Sequence, residues 1–291
     1  MKVLVTGASG QLGQDVIREL REQHIEYLGT TRDMLDLTDE YSVHRLIIEY
    51  RPDIVVHCAA YTAVDKAEEE IELCRKVNVD GTRYIVDACK EINAKLMYIS
   101  TDYVFPGTGT NFYQINDEKG PKNVYGQSKL DGEKIVKQYL DKYFIVRISW
   151  VFGIHGNNFV KTMLRLGETH SILRVVDDQI GSPTYTEDLS KLLVSMIQTD
   201  KYGIYQAHNE GICSWAEFAR TIFKLANINV IVESIPSSEY PTKAIRPLNS
   251  RMDTSELKKK GFNQLPDWED ALKRYIMIPV SYTHLTLPTK R

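Results

Sequence analysis

Short apolar runs alternate with amphipathic stretches along the first 150 residues of the chain. The first run, Lys2–Thr6, is rich in apolar and β-branched side chains, which is typical of a parallel strand buried on both faces. Apolar side chains then recur at helical spacing at Leu12, Val16 and Leu20, which predicts an amphipathic helix. The same alternation predicts further strands at residues 25–29, 53–57, 95–99 and 144–148, and helices at 40–50, 68–92 and 125–139. We therefore expect an α/β protein with a Rossmann-type doubly wound parallel sheet.

The second half of the chain carries shorter and less regular elements. Its patterns predict helices at residues 160–166, 186–198, 215–226 and 267–275, and strands at 173–176, 203–206 and 228–235. The expected domains are a dinucleotide-binding domain at 1–150 with a return segment near 170–206, and a smaller mixed α/β substrate-binding lobe at 151–169 plus 207–278. Residues 279–291 show no helical period, and we interpret them as a non-native, frame-shifted or disordered tail.

Composition narrows the class of protein. The 291 residues are 43% hydrophobic and 26% charged, which is ordinary globular content, and a net charge of −3 gives no basic excess for nucleic acid. No apolar run reaches the about 18 residues of a membrane helix, and the N-terminus has too short an apolar run for a signal peptide. The four cysteines, which form no Cys-x-x-Cys pair, are expected to be reduced packing residues of a cytoplasmic protein: Cys58, Cys74, Cys89 and Cys213.

A glycine-rich turn joins the first predicted strand to the first predicted helix. Its glycines recur at every third position, and this spacing lets the backbone approach a ligand closely. The N-terminus of the following helix favours an anion, so the strand, turn and helix together predict a site for the pyrophosphate of a dinucleotide. The residues assigned to this site are Gly7, Gly10, Gln11, Leu12 and Gly13.

The segments after the second and third predicted strands complete the cofactor site. Arg32 stands where an acidic residue would select NAD, so it favours NADPH through its 2′-phosphate, although a solvated Arg32 and NADH remain alternatives. Asp36 and Leu37 belong to a predicted turn and helix cap at the expected position of the adenine ring. The mostly small residues after the third strand would let a cofactor ribose pass close to the backbone: Ala59, Ala60, Tyr61 and Thr62.

Tyr125 and Lys129 are four residues apart in a predicted helix, so both side chains lie on one helix face. A free phenol has a pKa of about 10, and a nearby ammonium lowers that pKa toward the value that a general acid needs. Thr101 follows the fourth predicted strand, at the sheet edge where doubly wound folds place their chemistry. These three residues are the candidate catalytic group. The alternative for each feature taken singly is an ordinary structural one: an exposed Tyr–Lys pair on a helix surface, and a threonine that forms a turn.

Three features occur together in this chain. They are a strand–turn–helix unit with the motif Thr-Gly-x-x-Gly-x-x-Gly, a hydroxyl after the fourth strand, and the motif Tyr-x-x-x-Lys about two dozen residues later. This combination resembles the extended short-chain dehydrogenase/reductase family, over roughly residues 1–278. Within that family, the segments Thr-Asp-Tyr-Val-Phe at 101–105 and Arg-Pro-Leu-Asn-Ser-Arg at 246–251 are similar to those of reductases acting on a dTDP-linked deoxyhexose. Related dehydratases place a glutamate where this chain has Tyr103, which favours simple carbonyl reduction here.

The resemblance implies that NADPH or NADH delivers a hydride to the C4 ketone of a nucleotide-sugar. It implies that Tyr125 donates the proton, that Lys129 lowers the pKa of Tyr125 and holds the nicotinamide ribose, and that Thr101 orients the ketone. Arg246 is expected to clamp the diphosphate, with a structural ion pair as the alternative. The substrate-binding residues implied in this way are Thr101, Asp102, Tyr103, Trp150, Asn158 and Arg246. This chemistry requires no metal.

Three alternatives stay open at this level. The same machinery serves reductases of other nucleotide-sugars and 4-epimerases, and some relatives are non-catalytic cofactor-binding subunits. The sequence also leaves the oligomeric state open, with a homodimer as one of the forms considered.

Overall fold

The computed structural model describes residues 1–278, so the expected tail lies outside the described residues. The strands are β1 Lys2–Thr6, β2 Glu26–Thr30, β3 Ile54–His57, β4 Lys95–Thr101, β5 Tyr143–Ile148, β6 Val151–Phe152, β7 Ile172–Val176, β8 Ile180–Gly181, β9 Thr184–Tyr185, β10 Gly203–Gln206, β11 Asn209–Glu210, β12 Cys213–Ser214, β13 Ile231–Ile235 and β14 Leu265–Asp267. The α-helices are α1 Gln11–Glu22, α2 Glu40–Tyr50, α3 Val64–Ala67, α4 Ile71–Arg75, α5 Gly81–Ile92, α6 Val124–Tyr139, α7 Phe159–Gly167, α8 Thr186–Ile197, α9 Trp215–Ala226, α10 Ser255–Lys259 and α11 Trp268–Met277.

Six parallel strands form the main sheet, in the order β10-β5-β4-β3-β1-β2. The chain leaves β1 toward β2 on one side and later returns to β3 on the other side. The strand order therefore reverses between β1 and β3, and a crevice opens there at the carboxyl ends of the strands. The predicted Rossmann-type sheet is confirmed.

The two faces of the sheet explain why its strands are continuous apolar runs. Val3 and Val5 point to a core that includes α1 and α8, whereas Leu4 and Val55 point to a second core that includes α2 and α5. All four side chains are essentially inaccessible to solvent. Because successive strand residues face opposite sides, both sides must be apolar when helices cover both faces.

A smaller lobe packs beside the sheet around a third hydrophobic core, which is rich in aromatic side chains. It contains α7, α9 and α11, and β7 pairs in parallel with β13 in a separate two-stranded sheet. The prediction that the return segment begins near residue 170 is therefore wrong for Ile172–Val176. The return is made by α8, which packs on α1, and by β10, which pairs with β5. Leu257 and Phe262 also pack in the core of the main sheet, although the sequence assigned them to the lobe.

The helix predicted at residues 68–92 is present from residue 71 to residue 92, with a π-helical turn in its middle. Helix α4 runs directly into the π turn at Lys76–Asp80, and the π turn runs directly into α5. A π turn inserts one extra residue per turn, and hydrophobic periodicity does not distinguish it from α-helix over five residues. The predicted helix is therefore confirmed for residues 71–92, whereas its π-helical middle, which holds Asn78, was not predicted.

None of the helices within residues 1–278 is long and apolar enough to cross a membrane.

Candidate active site

The glycine turn at the start of α1 is closely packed against the end of β3. Gly7 has a φ of +71°, and a Cβ there would lie 2.7 Å from the backbone nitrogen of Ala59. A Cβ at Gly13 would lie 2.1 Å from the carbonyl oxygen of Gly7. Gly10 is the N-cap of α1 and provides no side-chain cap, so the first N–H groups of this helix are left for an anionic ligand.

Gln11 and Asn158 meet beside this turn. The Asn158 side chain donates to Gln11 Oε1 at 2.9 Å and to the carbonyl of Gly153 at 2.8 Å. Its Oδ1 accepts from the backbone of Lys161 at 3.0 Å and thereby caps α7. The structure thus places Asn158, expected at the substrate, at the glycine turn with its amide already paired. Leu12 lies next to Gln11 and is buried in the sheet core.

Arg32, Asp36 and Leu37 follow β2 along the rim of the crevice. Arg32 is exposed, so the structure does not tie its guanidinium to a structural role. Asp36 Oδ1 accepts from the backbone of Thr38 at 2.9 Å and from its hydroxyl at 2.8 Å, and these bonds hold the pKa of Asp36 below its usual value. Leu37 is buried, and Asp39 caps α2, so the predicted turn and helix cap are confirmed.

The segment after β3 is held by a buried asparagine from the π turn. Asn78 Oδ1 accepts from the backbone nitrogen of Tyr61 at 2.7 Å, and its Nδ2 donates to the Tyr61 carbonyl at 3.1 Å. The same Nδ2 donates to Ser128 Oγ at 2.9 Å, and Ser128 donates to the carbonyl of Tyr125 at 2.7 Å. Asn78 therefore links the predicted cofactor segment, in which Ala59 and Ala60 are half-buried and Thr62 is exposed, to α6.

No role for Asn78 followed from the sequence. The available signal was an asparagine inside an otherwise helical stretch, since this residue type favours caps and turns over helix interiors.

Tyr125 and Lys129 lie in the first two turns of α6, whose N-cap Asn123 accepts from the backbone of Gly126 at 2.7 Å. Lys129 is only 2% exposed, and its Nζ lies 4.0 Å from the ring centroid of Tyr98. Burial lowers the pKa of Lys129 to about 7, while the nearby Glu133 carboxylate acts in the opposite direction. The predicted helix and the shared helix face are confirmed.

The pKa of Tyr125 is raised above its ordinary value. Burial is the main cause, the Asp102 carboxylate adds to it, and a hydrogen bond with Thr101 acts in the opposite direction. The lowering of this pKa that we expected from Lys129 is not seen in this structure, in which burial raises it.

Thr101 ends β4 and lies beside a buried carboxylate. Its hydroxyl donates to Asp102 Oδ1 at 2.9 Å, and Ser250 Oγ donates to Asp102 Oδ2 at 2.5 Å. Burial raises the pKa of Asp102 to about 6. Ser250 was noticed only as part of a matching segment, and its contact with Asp102 spans 148 residues of sequence, so local patterns carry no sign of it.

Tyr103 and Arg246 contact each other, whereas Trp150 contacts Trp215. Arg246 donates to Asp65 Oδ2 at 2.6 Å and to the Tyr103 hydroxyl at 3.4 Å, so the ion-pair alternative is present in the structure. Trp150 has a φ of +47° and stacks on Trp215 with ring centroids 3.7 Å apart. Positive φ is uncommon for a bulky residue, and stacking on Trp215 stabilises this conformation.

The sheet, the glycine turn at its switch point, and the Thr101–Tyr125–Lys129 group at its carboxyl edge define the class of protein as an extended short-chain dehydrogenase/reductase. The family model described as "RmlD substrate binding domain" matches residues 1–279. The chain belongs to this family, that of the dTDP-4-dehydrorhamnose reductases.

Individual relatives match the chain over nearly its whole length. A dTDP-4-dehydrorhamnose reductase of Aggregatibacter actinomycetemcomitans is 39% identical over 94% of this chain and 97% of the relative. The spore coat polysaccharide biosynthesis protein SpsK of Bacillus subtilis is 41% identical over 94% of this chain and 96% of the relative. A dTDP-4-keto-6-deoxy-D-glucose reductase of Streptomyces niveus is 34% identical over 92% and 94%.

Among solved structures, the dTDP-4-dehydrorhamnose reductase of Bacillus anthracis in complex with NADP is 44% identical to this chain. It superimposes with a TM-score of 0.92 over 94% of this chain and 98% of that one.

Proposed function

We propose that the protein is an NAD(P)H-dependent oxidoreductase that reduces the C4 ketone of dTDP-4-dehydro-β-L-rhamnose to give dTDP-L-rhamnose, the last step of dTDP-rhamnose biosynthesis. The observation that carries the proposal is the gathering of Thr101, Tyr125 and Lys129 at the carboxyl edge of the sheet. Tyr125 hydrogen-bonds Thr101, and the charge of Lys129 acts on Cys58, against which Gly7 of the glycine turn packs. The names of relatives matched over nearly their full length support the substrate and the reaction.

The residues of the glycine turn fit a dinucleotide, because close packing of Gly7 and Gly13 leaves no room for side chains where a pyrophosphate would approach the backbone. When bound, the reduced nicotinamide supplies the hydride. Gly10, Gln11 and the N-terminus of α1 would hold the pyrophosphate, and the segment Ala59–Ala60–Tyr61–Thr62 would border the riboses. Lys129, which is buried, would donate to the nicotinamide ribose.

Tyr125 donates its phenolic proton to the oxygen that develops at C4, and burial keeps this proton in place until that oxygen becomes basic. Thr101 hydrogen-bonds the same carbonyl oxygen after its hydroxyl turns from Asp102, which requires rotation about a single bond. Asp102, Tyr103 and Trp150 line the sugar side of the crevice. Arg246 lies on the diphosphate side.

The segment after β2 favours NADPH over NADH. This strand ends at Thr30 and is followed by Thr31 and Arg32, so its end lacks the acidic side chain that would accept hydrogen bonds from the 2′-hydroxyl of NAD and repel a 2′-phosphate. Arg32 is exposed at this point and available to a phosphate. The Bacillus anthracis structure in complex with NADP supports the same preference.

The test is turnover by the purified protein. With dTDP-4-dehydro-β-L-rhamnose we expect loss of the reduced-nicotinamide absorbance, faster with NADPH than with NADH. The Tyr125→Phe variant keeps the ring and removes the proton, so we expect its turnover to fall by about 10²–10⁴-fold with unchanged NADPH binding. A wild type that consumes neither cofactor, or a Tyr125→Phe variant as fast as the wild type, would contradict the proposal.

The name of the Streptomyces niveus relative favours a second candidate, reduction of dTDP-4-keto-6-deoxy-D-glucose. The same assay with that substrate decides between the two by comparing kcat/KM. Product formation without any added reductant would instead indicate an epimerase, and binding of NADPH without turnover of either sugar would indicate a cofactor-binding subunit. The cytoplasmic location and the homodimer stay predictions, to be tested by cell fractionation and sedimentation.

A further inference from the structure

Helix α6 carries a third ionisable side chain, that of Glu133, on the same face as Tyr125 and Lys129. Glu133 follows Lys129 by one turn and Tyr125 by two, and it is only 2% exposed. A carboxylate in such a place must be paired, because an isolated buried charge is strongly unfavourable.

Arg147 and Ser100 provide that pairing from two neighbouring strands. Arg147 Nε donates to Glu133 Oε1 at 2.8 Å and Arg147 Nη2 donates to Oε2 at 2.7 Å, a bidentate pair with fixed geometry. Ser100 Oγ donates to Oε1 at 2.6 Å, and Ser100 directly precedes Thr101 on β4. Arg147 Nη1 also donates to the carbonyl of Ile115 at 2.9 Å, and the guanidinium lies over the ring of Phe105.

Stability alone is a weak reason for this arrangement, because apolar residues of similar size often replace a buried ion pair without loss of stability. The pair instead fixes the orientation of the elements that it joins. It joins α6 to β4 and β5 at fixed angles, and α6 and β4 are the two elements that carry Tyr125, Lys129 and Thr101.

We propose, on the basis of the function proposed above, that Glu133 is a positioning residue of the reaction. Paired with Arg147 and Ser100, it fixes α6 so that Tyr125 and Lys129 face Thr101, and its negative charge supports the buried Lys129 ammonium.

The surroundings of Lys129 show why that charge matters. The titratable groups around its ammonium in the described residues are His57 and Cys58 at the end of β3, Cys74 on α4, Tyr98 on β4, and Tyr125 and Glu133 one turn to either side on α6. Burial lowers the pKa of His57 to about 3 and raises the pKa of Cys58 to about 12, and it also raises the pKa values of Cys74, Tyr98 and Tyr125. These groups are therefore neutral near pH 7. Glu133 carries the negative charge next to them, and the guanidinium of Arg147 that pairs with Glu133 carries a positive charge.

Loss of the Glu133 charge has a predictable sign. Burial already favours the neutral amine of Lys129, and Glu133 opposes this, so Glu133→Gln lowers the pKa of Lys129. Since the ammonium is the active form, activity falls as the pH rises through this pKa. The high-pH limb of the kcat/KM profile is expected to move by about one pH unit toward lower pH.

The experiment compares Glu133→Gln with a matched control, Asp188→Asn. Asp188 is also a buried carboxylate with a bidentate arginine partner, since Arg274 donates to it at 2.9 and 2.7 Å, but this pair joins α8 to α11. Titration of Lys129 is followed by NMR in lysine-labelled protein, with Lys129→Met identifying the resonance, and the pH profile of turnover is measured in parallel. We expect the shift in Glu133→Gln and only a loss of stability in Asp188→Asn.

A folded Glu133→Gln protein whose Lys129 titrates as in the wild type would overturn the proposal, and so would an equal shift in Asp188→Asn. If Glu133→Gln does not fold, Arg147→Met is used instead: it leaves the Glu133 carboxylate without its neutralising guanidinium and is expected to raise the pKa of Lys129. An unshifted Lys129 in that variant has the same meaning. The NMR titration needs no substrate. An inactive wild type would therefore count against the proposed reaction while the shift of Lys129 is still observed.

Discussion

At the scale of single residues, Tyr125 and Lys129 lie one turn apart on α6, yet burial moves their pKa values in opposite directions. It raises that of the phenol and lowers that of the amine, because in each case it disfavours the charged form. Asp102 follows the same rule, with its pKa raised to about 6. The environment, and not the residue type, sets the protonation of these three groups.

The pKa of Asp102 leads to a prediction about stability. A carboxyl with an ordinary pKa of 3.8 when unfolded and about 6 when folded binds its proton more tightly in the folded state. Its contribution to the free energy of unfolding is therefore greatest below pH 4 and decreases by about 3 kcal/mol as the pH rises to 6 and above. The stability difference between wild type and Asp102→Asn should change by this amount over that range.

Urea unfolding of the two proteins at a series of pH values measures this difference. The exposed Asp141→Asn variant is the control and should run parallel to the wild type. A constant difference between wild type and Asp102→Asn from pH 4 to 7 would contradict the prediction.

Gly13 provides a second prediction at this scale. A Cβ there would lie 2.1 Å from the Gly7 carbonyl oxygen, so Gly13→Ala must displace the turn. We expect the Kd for NADPH to rise by at least about tenfold, which corresponds to about 1.4 kcal/mol. Isothermal titration measures it, with Gly120→Ala as the control, since a Cβ at Gly120 meets its nearest neighbour at an ordinary 3.4 Å. If both variants bound NADPH as tightly as the wild type, the glycine turn would have no role in cofactor binding.

At the scale of elements, the π turn at Lys76–Asp80 and helix α6 depend on each other. The turn places Asn78 so that one buried amide satisfies the backbone of Tyr61 and the hydroxyl of Ser128. Ser128 in turn bonds within the first turns of α6. A regular α-helix through residues 68–92 would rotate Asn78 away from these partners, which explains why the interruption is part of the site.

Asn78→Ala tests this coupling. It leaves part-buried backbone groups of Tyr61 without partners, and we expect the free energy of unfolding to fall by about 1–3 kcal/mol. Asn116→Ala removes an exposed amide and should change it by less than about 0.5 kcal/mol. Denaturant unfolding measures both, and equal midpoints for the two variants would show that the π turn does not depend on Asn78.

At the scale of the whole molecule, a loop of the smaller lobe is fastened to the cofactor side of the crevice. Arg246 pairs with Asp65 of α3, the backbone nitrogen of Ala244 donates to the same carboxylate at 3.1 Å, and Asn123 donates to the carbonyl of Ile245 at 2.8 Å. The loop therefore contacts both α3 and the N-cap of α6. These segments, which are far apart in the sequence, together form one wall of the crevice.

This arrangement leads to a prediction about Arg246. If its pair with Asp65 positions the loop, Arg246→Ala and Asp65→Ala raise the KM for the nucleotide-sugar by similar factors of about tenfold, and the double variant adds little because the two residues act as one unit. Steady-state kinetics on the three variants measure this. A rise in KM for Arg246→Ala alone, with Asp65→Ala equal to or better than wild type, would instead identify Arg246 as a diphosphate clamp.

Local patterns were sufficient for the sheet and for the central part of the site. The apolar runs of β1 and β3, the glycine spacing at the start of α1, and the four-residue spacing of Tyr125 and Lys129 all lie within one or two turns of chain. Each is dictated by backbone geometry or by burial of a single element. Their positions in the structure match the predictions closely.

Tertiary structure alone decided the rest. The contacts of Ser250 with Asp102 and of Arg246 with Asp65 join residues far apart in the chain, and the pairing of β7 with β13 does the same. The contact of Arg147 with Glu133 spans 14 residues, but it forms only when β5 packs on α6. The pKa of Tyr125 depends on desolvation, which exists only after packing is complete. The sequence by itself thus determined which groups are present and which helix face or strand end they occupy, because these follow from local geometry. Their charge, orientation and partners were decided by the packed structure, because burial and long-range contacts are properties of the whole fold.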